Sequence, residues 1–282
     1  MNDTLKMEGH STKGTAKEIG GGDMKTNKRG KKIVRIVLLI IIVILLVVVI
    51  NFIPTFDLKK TSMSVYSGEW IDVYYEQEKA AAEDVFKYAD AETEDVALRL
   101  GFKEKQDVRV FIYDTQTSMQ QKKYGFIGPM LGLDWYIGDN IGTDVILTSP
   151  ANPGPVHTYD NNKYAVLHEI VHAYISVMNP EIHLWLTEGC ALYLTNGTPF
   201  YREYLEFMPI PSFKDTRTRN PIRFADCGGY NFAHIYIEYI DVTYGWDKVL
   251  ELIKTEDYEK VLGKTQREIY DEWVEYLQNY DT

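Results

Sequence analysis

His168-Glu169-Ile170-Val171-His172 sets two imidazoles four residues apart with a carboxylate beside the first. The surrounding segment, residues 163–178, has helical periodicity and stops at Asn179-Pro180. On a helix, positions i and i+4 differ by about 400° of rotation, so both rings project from one face, a turn apart. Two neutral imidazoles so placed can bind one cation, zinc above all. Glu169, about 100° round the helix, reaches a water on that cation without being a ligand. Such a water has its pKa lowered towards about 7, and a carboxylate beside it can take the proton as a carbonyl is attacked. Taken alone, the five residues leave another reading open, that of two half-exposed polar residues on an amphipathic helix.

A second motif narrows the choice. Trp185-Leu186-Thr187-Glu188-Gly189-Cys190-Ala191 opens a further helix after the Pro180 break and sets Glu188 sixteen residues beyond His172. H-E-x-x-H followed by W-L-x-E-G-x-A resembles the gluzincin metallopeptidases, in particular their peptidase MA-like and aminopeptidase-like catalytic domains. The resemblance implies a thermolysin-like α+β fold and one Zn2+ per chain. It makes His168, His172 and Glu188 the ligands and Glu169 the general base and proton shuttle. Two imidazoles and one carboxylate leave the fourth tetrahedral position open for water, as a catalytic zinc site requires.

The resemblance extends, more loosely, to Tyr230, which opens a helical stretch closing near Tyr244-Gly245. In the family that tyrosine donates to the oxyanion of the tetrahedral intermediate, and Tyr230 is assigned the same role. His234, a turn further on, is the alternative donor. The chain departs from the aminopeptidases in one respect. Gly138-Asp139-Asn140-Ile141-Gly142 lacks the glutamate with which they hold the substrate's amino group, so aminopeptidase specificity is not expected.

Several elements must hold these residues. Helical spacing of Val85, Tyr88, Ala89, Ala97 and Leu98 predicts one helix, or two broken near Asp90, over 74–100. Alternation and β-branching predict a strand at 108–113 and a second at 145–148. A short polar helix is expected through Gln121 and a loop or loose hairpin at 125–142. Residues beyond Asn162 read as mainly helical. By position, 145–148 is the strand expected to line the cleft and pair with extended substrate. Cys190 and Cys227 lack the spacing of metal ligands; they read as two buried thiols or as a disulfide between the Glu188 helix and the Tyr230 segment.

Residues 1–35 carry nine Lys and Arg against four acids, and the rest of the chain 21 against 37. So acidic a domain repels phosphate backbones, which excludes nucleic-acid binding. The charge changes sign at a run of fifteen consecutive Val, Ile and Leu residues, 36–50, which Phe52 and Ile53 extend to eighteen positions interrupted only by Asn51. That run spans roughly 27 Å as a helix, close to the hydrocarbon thickness of a bilayer. The basic cluster ahead of it points the N-terminus to the cytoplasm. The expected organisation is a disordered basic tail at 1–32, a transmembrane helix at 33–53 and a juxtamembrane stalk at 54–68. An extracytoplasmic zinc peptidase domain then follows at 69–282, on the outer face of the plasma membrane. Its expected partners are the lipid bilayer and a peptide or protein substrate. Two rivals stand beside it: a catalytically silent binding or sensory domain of the same fold, and a zinc hydrolase of non-peptide substrates. The presence of all three ligands and Glu169 argues against the first.

Overall fold

The structure, a computed structural model, describes residues 23–197 and 200–280, with side chains from Lys28 onward. The chain divides into two compact units, Met1–Ile50 and Asn51–Thr282. Of the basic tail, 1–22 lie outside the described residues. Residues 23–32, expected to be disordered, are the first turns of a 29-residue helix, α1 (Asp23–Asn51). Once the apolar run has nucleated a helix, each added residue gains a hydrogen bond, which carries the helix back through the Lys and Arg residues despite Thr26, Asn27 and Gly30. Its segment Lys28–Asn51 is long and apolar enough to cross a membrane. The helix stops at Asn51, so Phe52 and Ile53 fall outside it.

The second unit is α+β, a five-stranded mixed sheet followed by a mainly helical half. The strands are β1 (Ser64–Ser67), β2 (Asp72–Tyr75), β3 (Arg109–Tyr113), β4 (Gly138–Ile141) and β5 (Asp144–Thr148), in spatial order β1-β2-β3-β5-β4. The inner pairs β2–β3 and β3–β5 are parallel, and the outer pairs antiparallel. Two strand segments escape the helix and stalk readings. Residues 64–67 lie in the sheet rather than in a stalk, and Leu58 and Met63 pack on its core. Tyr74 and Tyr75 belong to β2, so α2 (Lys79–Arg99) starts later than expected and runs unbroken past Asp90. Four-residue strands are shorter than the window in which alternation can be told from helical spacing.

The period of two along β3 and β5 explains how the sheet is covered. Val110, Ile112, Val145 and Leu147 point into the main core, while Phe111, Tyr113 and Ile146 face a smaller one closed by Met119 of α3 (Gln116–Tyr124). The main core contains α4 (Tyr159–Met178), which packs against α2, β4, β5 and α5 (Leu184–Leu194). A capping box starts α4: Thr158 Oγ1 accepts from Asn161 N at 3.2 Å and Asn161 Oδ1 accepts from Thr158 N at 3.0 Å. The chain then runs through α6 (Tyr204–Phe207) and α7 (Pro221–Asp226) to α8 (Gly229–Tyr244), α9 (Trp246–Thr255), α10 (Tyr258–Leu262) and α11 (Gln266–Gln278). Trp185 fixes the start of α5, its ring 5.9 Å from that of the fully buried Trp273 of α11.

Candidate metal centre

The middle of α4 is buried, through Val166, Leu167, Ile170, Val171, Ala173, Tyr174 and Ile175. His168, Glu169, His172 and Ser176 are what it gives to a cleft of about 570 Å³. Three of these, His168, His172 and Ser176, recur every four residues and form a polar stripe on a stretch of helix, 164–178, that is otherwise mostly apolar. The opposite wall is α5, which contributes Thr187 and Glu188, and Tyr230 comes from the first turn of α8.

α5 can bring Glu188 this close because of Gly189. A Cβ there would lie 2.6 Å from the Ala233 carbonyl oxygen and 2.8 Å from Ile237 Cγ1, both on α8. Only a residue without a side chain lets the two helices meet.

His168 Nε2, His172 Nε2 and one oxygen of Glu188 form a triangle. The two nitrogens are 3.1 Å apart, and Glu188 Oε2 is 3.3 Å from the first and 3.5 Å from the second. Tetrahedral zinc with bonds of about 2.0–2.1 Å separates its ligand atoms by about 3.3–3.4 Å. The three donors therefore already stand at the spacing of one coordination face. Glu188 Oε2 is buried with no hydrogen-bond donor of its own, the kind of orphaned acceptor that a cation satisfies. His172 Nδ1 lies 2.8 Å from Thr187 Oγ1. A proton donated there leaves the lone pair of Nε2 aimed at the triangle's centre. The residues present fit a metal ion.

The electrostatics separate two carboxylates. Burial pushes Glu188 up, but the two imidazoles beside it, His172 first, outweigh it and hold the carboxyl well below the usual range. Glu169 has no such partner. Burial carries it up to about 8 against the pull of His168, and Asp139 and Glu188 add to the rise. Burial also raises the Tyr230 phenol, with the charges of Glu188, Glu169 and Asp139 behind it, so the group stays a neutral donor.

The strand lining the cleft is β4, not 145–148. β5 is paired on both sides, and its side chains fill the two cores, so it has no free edge. β4 is the edge strand, and Gly138, Asp139 and Asn140 face the cleft. Thr148 N donates to Ile137 O, and ladder alternation turns the main-chain groups of Gly138 and Asn140 away from β5. Lys123 Nζ holds Asn140 O at 3.0 Å and pairs with Asp139 at 2.8 Å, while Tyr136 Oη also donates to Asp139. Gly138 sits so near α4 that a Cβ would lie 3.2 Å from Glu169 Cγ. Asn140 Nδ2 donates to Ser176 Oγ at 3.0 Å, tying the strand to α4.

His234 does not line the cleft. It is buried against the Tyr193 ring at 5.4 Å, and burial pushes its imidazole down, so the alternative donor role has no geometric support. Cys190 and Cys227 are free thiols, the first fully buried, the second with its Sγ 3.2 Å from Phe224 O. Thr187, Gly138, Lys123 and Asp139 were not identified from sequence as parts of a site. Thr187 carries the signal of standing one residue before Glu188, and Gly138 and Asp139 that of a glycine-rich stretch ahead of 145–148; Lys123, in α3, carries none. No protein-family model and no curated protein sequence matches the chain.

Proposed function

We propose that the second unit is a zinc-dependent peptidase of the gluzincin type, anchored by α1 and acting on peptide or protein substrates at the outer face of the plasma membrane. The observation that carries this reading is the triangle that His168 and His172 of α4 form with Glu188 of α5 across one cleft, with Glu169 and Tyr230 lining the same cleft. A zinc ion held by the three donors would supply Lewis-acid activation of a water and of the scissile carbonyl. Glu169 takes the proton of the attacking water on its carboxylate and later gives it to the leaving amine. The Tyr230 hydroxyl donates to the oxygen that becomes negative. An extended substrate pairs with the free edge of β4 through the main chain of Gly138, the Asn140 carbonyl being already taken by Lys123.

The purified full chain in detergent tests this. It should hold about one zinc per chain by atomic spectroscopy and cleave members of a quenched peptide library. His168→Ala with His172→Ala should abolish both. Stoichiometric zinc retained by the double variant would overturn the site. Zinc bound without cleavage of any peptide would leave a metal-binding domain and overturn the peptidase.

A further inference from the structure

Asn51 is the last residue of the apolar helix and the first of the folded unit. Its side chain is held twice by one segment of that unit. Nδ2 donates to Tyr124 O at 3.2 Å, and Oδ1 accepts from Ile127 N at 3.0 Å. Gly125 packs so closely on the Asn51 carbonyl that no Cβ fits between them. The segment gripped in this way is a 3-10 turn, Gly125–Leu131, and its large side chains are turned out: Phe126 is 49% exposed, Ile127 48%, Leu131 46% and Met130 82%. The turn Ile53–Phe56 packs beside it and exposes Phe56 at 79%. Neither 51–56 nor 125–133 contains a charged residue, in a unit that carries 37 acids against 21 bases.

Apolar side chains gathered on a surface mark contact with another phase or partner. Here the covalent connection selects the partner. A chain that spans the bilayer as α1 leaves the hydrocarbon near Asn51, and a segment hydrogen-bonded to Asn51 sits within a side chain's length of the same boundary. We propose that Phe126, Ile127, Met130 and Leu131, together with Phe56, immerse in the outer headgroup–acyl boundary as a second attachment of the folded unit to the bilayer. Tyr124, whose carbonyl is bonded to Asn51, also lines the cleft, as does Trp135 at 52% exposure. The cleft is thereby held at the membrane surface, and the peptide segments within its reach are those lying on the bilayer or emerging from it. This last step rests on the peptidase reading; the attachment rests only on the anchor.

The test uses the full chain in phosphatidylcholine vesicles containing lipids spin-labelled on the acyl chain. Met130→Cys and Phe126→Cys are made separately in a Cys227→Ser background, Cys190 being buried beyond the reach of reagent. Each carries an environment-sensitive fluorophore, with Val242→Cys, 69% exposed on α8, as the reference. Quenching at positions 130 and 126 should exceed that at 242 by about threefold or more, as immersion to acyl depth requires. Equal quenching at the three positions, in a chain that floats with the vesicles, overturns the attachment and leaves the anchor standing. A chain that does not float overturns both. Neither readout involves zinc or hydrolysis, so the peptidase reading stands or falls separately.

Discussion

Glu169→Gln keeps the shape of the side chain and deletes the base. Zinc content should be unchanged while activity falls by roughly 10²–10⁴. Tyr230→Phe removes one donor to the oxyanion, so kcat should fall by about 10²–10³ with little change in KM. Glu188→Gln exchanges an anionic donor for a neutral one and should lose metal first. Thr187→Val leaves His172 Nδ1 without its partner and should weaken zinc binding by about 10–100-fold. Zinc content measured beside kcat separates these roles. A Glu169→Gln enzyme that stays active with zinc bound would refute the chemistry, and an active Tyr230→Phe would refute only the oxyanion donor. At this scale the shared face of His168 and His172 was legible from their spacing on one helix, whereas Glu188 was reached only through the resemblance of its motif, since periodicity does not relate one helix to the next. Thr187 was not legible, since nothing in one sequence says that its hydroxyl meets His172 fifteen residues back.

Between elements, the contact of α5 with α8 is set by the missing side chain at Gly189. Gly189→Ala forces the helices apart or the Ala233 carbonyl aside, at about 1–3 kcal/mol for an overpacked site. For a unit of this size that lowers Tm by roughly 2–12 °C. Zinc affinity should fall too, since Glu188 moves with its helix. Calorimetry with and without zinc checks both, and an unchanged Tm would mean that the helices do not need the glycine. The strands of the inner sheet could be read from alternation and β-branching, and α4 from its periodicity. The misread elements have physical causes. β1 and β2 are four residues each, and Tyr74 and Tyr75 run into a helix rich in alanine. β4 is written in Gly, Asp and Asn, residues poor in strand propensity, and is ordered by its hairpin with β5 and its bonds to Lys123 and Ser176. Position along the chain suggested 145–148 as the substrate strand, but only the strand order reveals which edge is free.

For the whole molecule, the basic cluster before α1 predicts that everything after Pro54 faces outward and stays membrane-bound. Protease added to intact cells should digest the folded unit, and protection of that unit would reverse the topology. The unit should also lose stability in acid through Asp215, whose carboxylate accepts from Ser212 N at 3.0 Å, Ser212 Oγ at 2.7 Å and Arg223 Nε at 2.9 Å. Burial raises this carboxyl, but the bonds from Ser212 and Arg223 outweigh it and leave it lowered. Its contribution is therefore present above the unfolded value of about 3.9 and is lost as pH falls through the lower folded value. Asp215→Asn should lower Tm at pH 7, and the gap from the parent should narrow as pH falls below the unfolded value of about 3.9; a gap independent of pH would assign the loss to packing. The cleft also has a folding order written into it. His168, His172 and Glu188 lie within two consecutive helices, twenty residues from first to last, whereas Gly138 and Tyr230 enter from thirty residues before and forty after. Closing the short loop costs little chain entropy, and the distant contacts wait for the sheet and α8 to assemble. On the proposed reading, an ion would be captured as a local event with Glu169 already beside it, while Tyr230 and the edge of β4 are still apart. If the unit is the peptidase proposed above, its activity would wait for the contacts that bring in Tyr230 and β4, and a half-folded chain would not cut its neighbours.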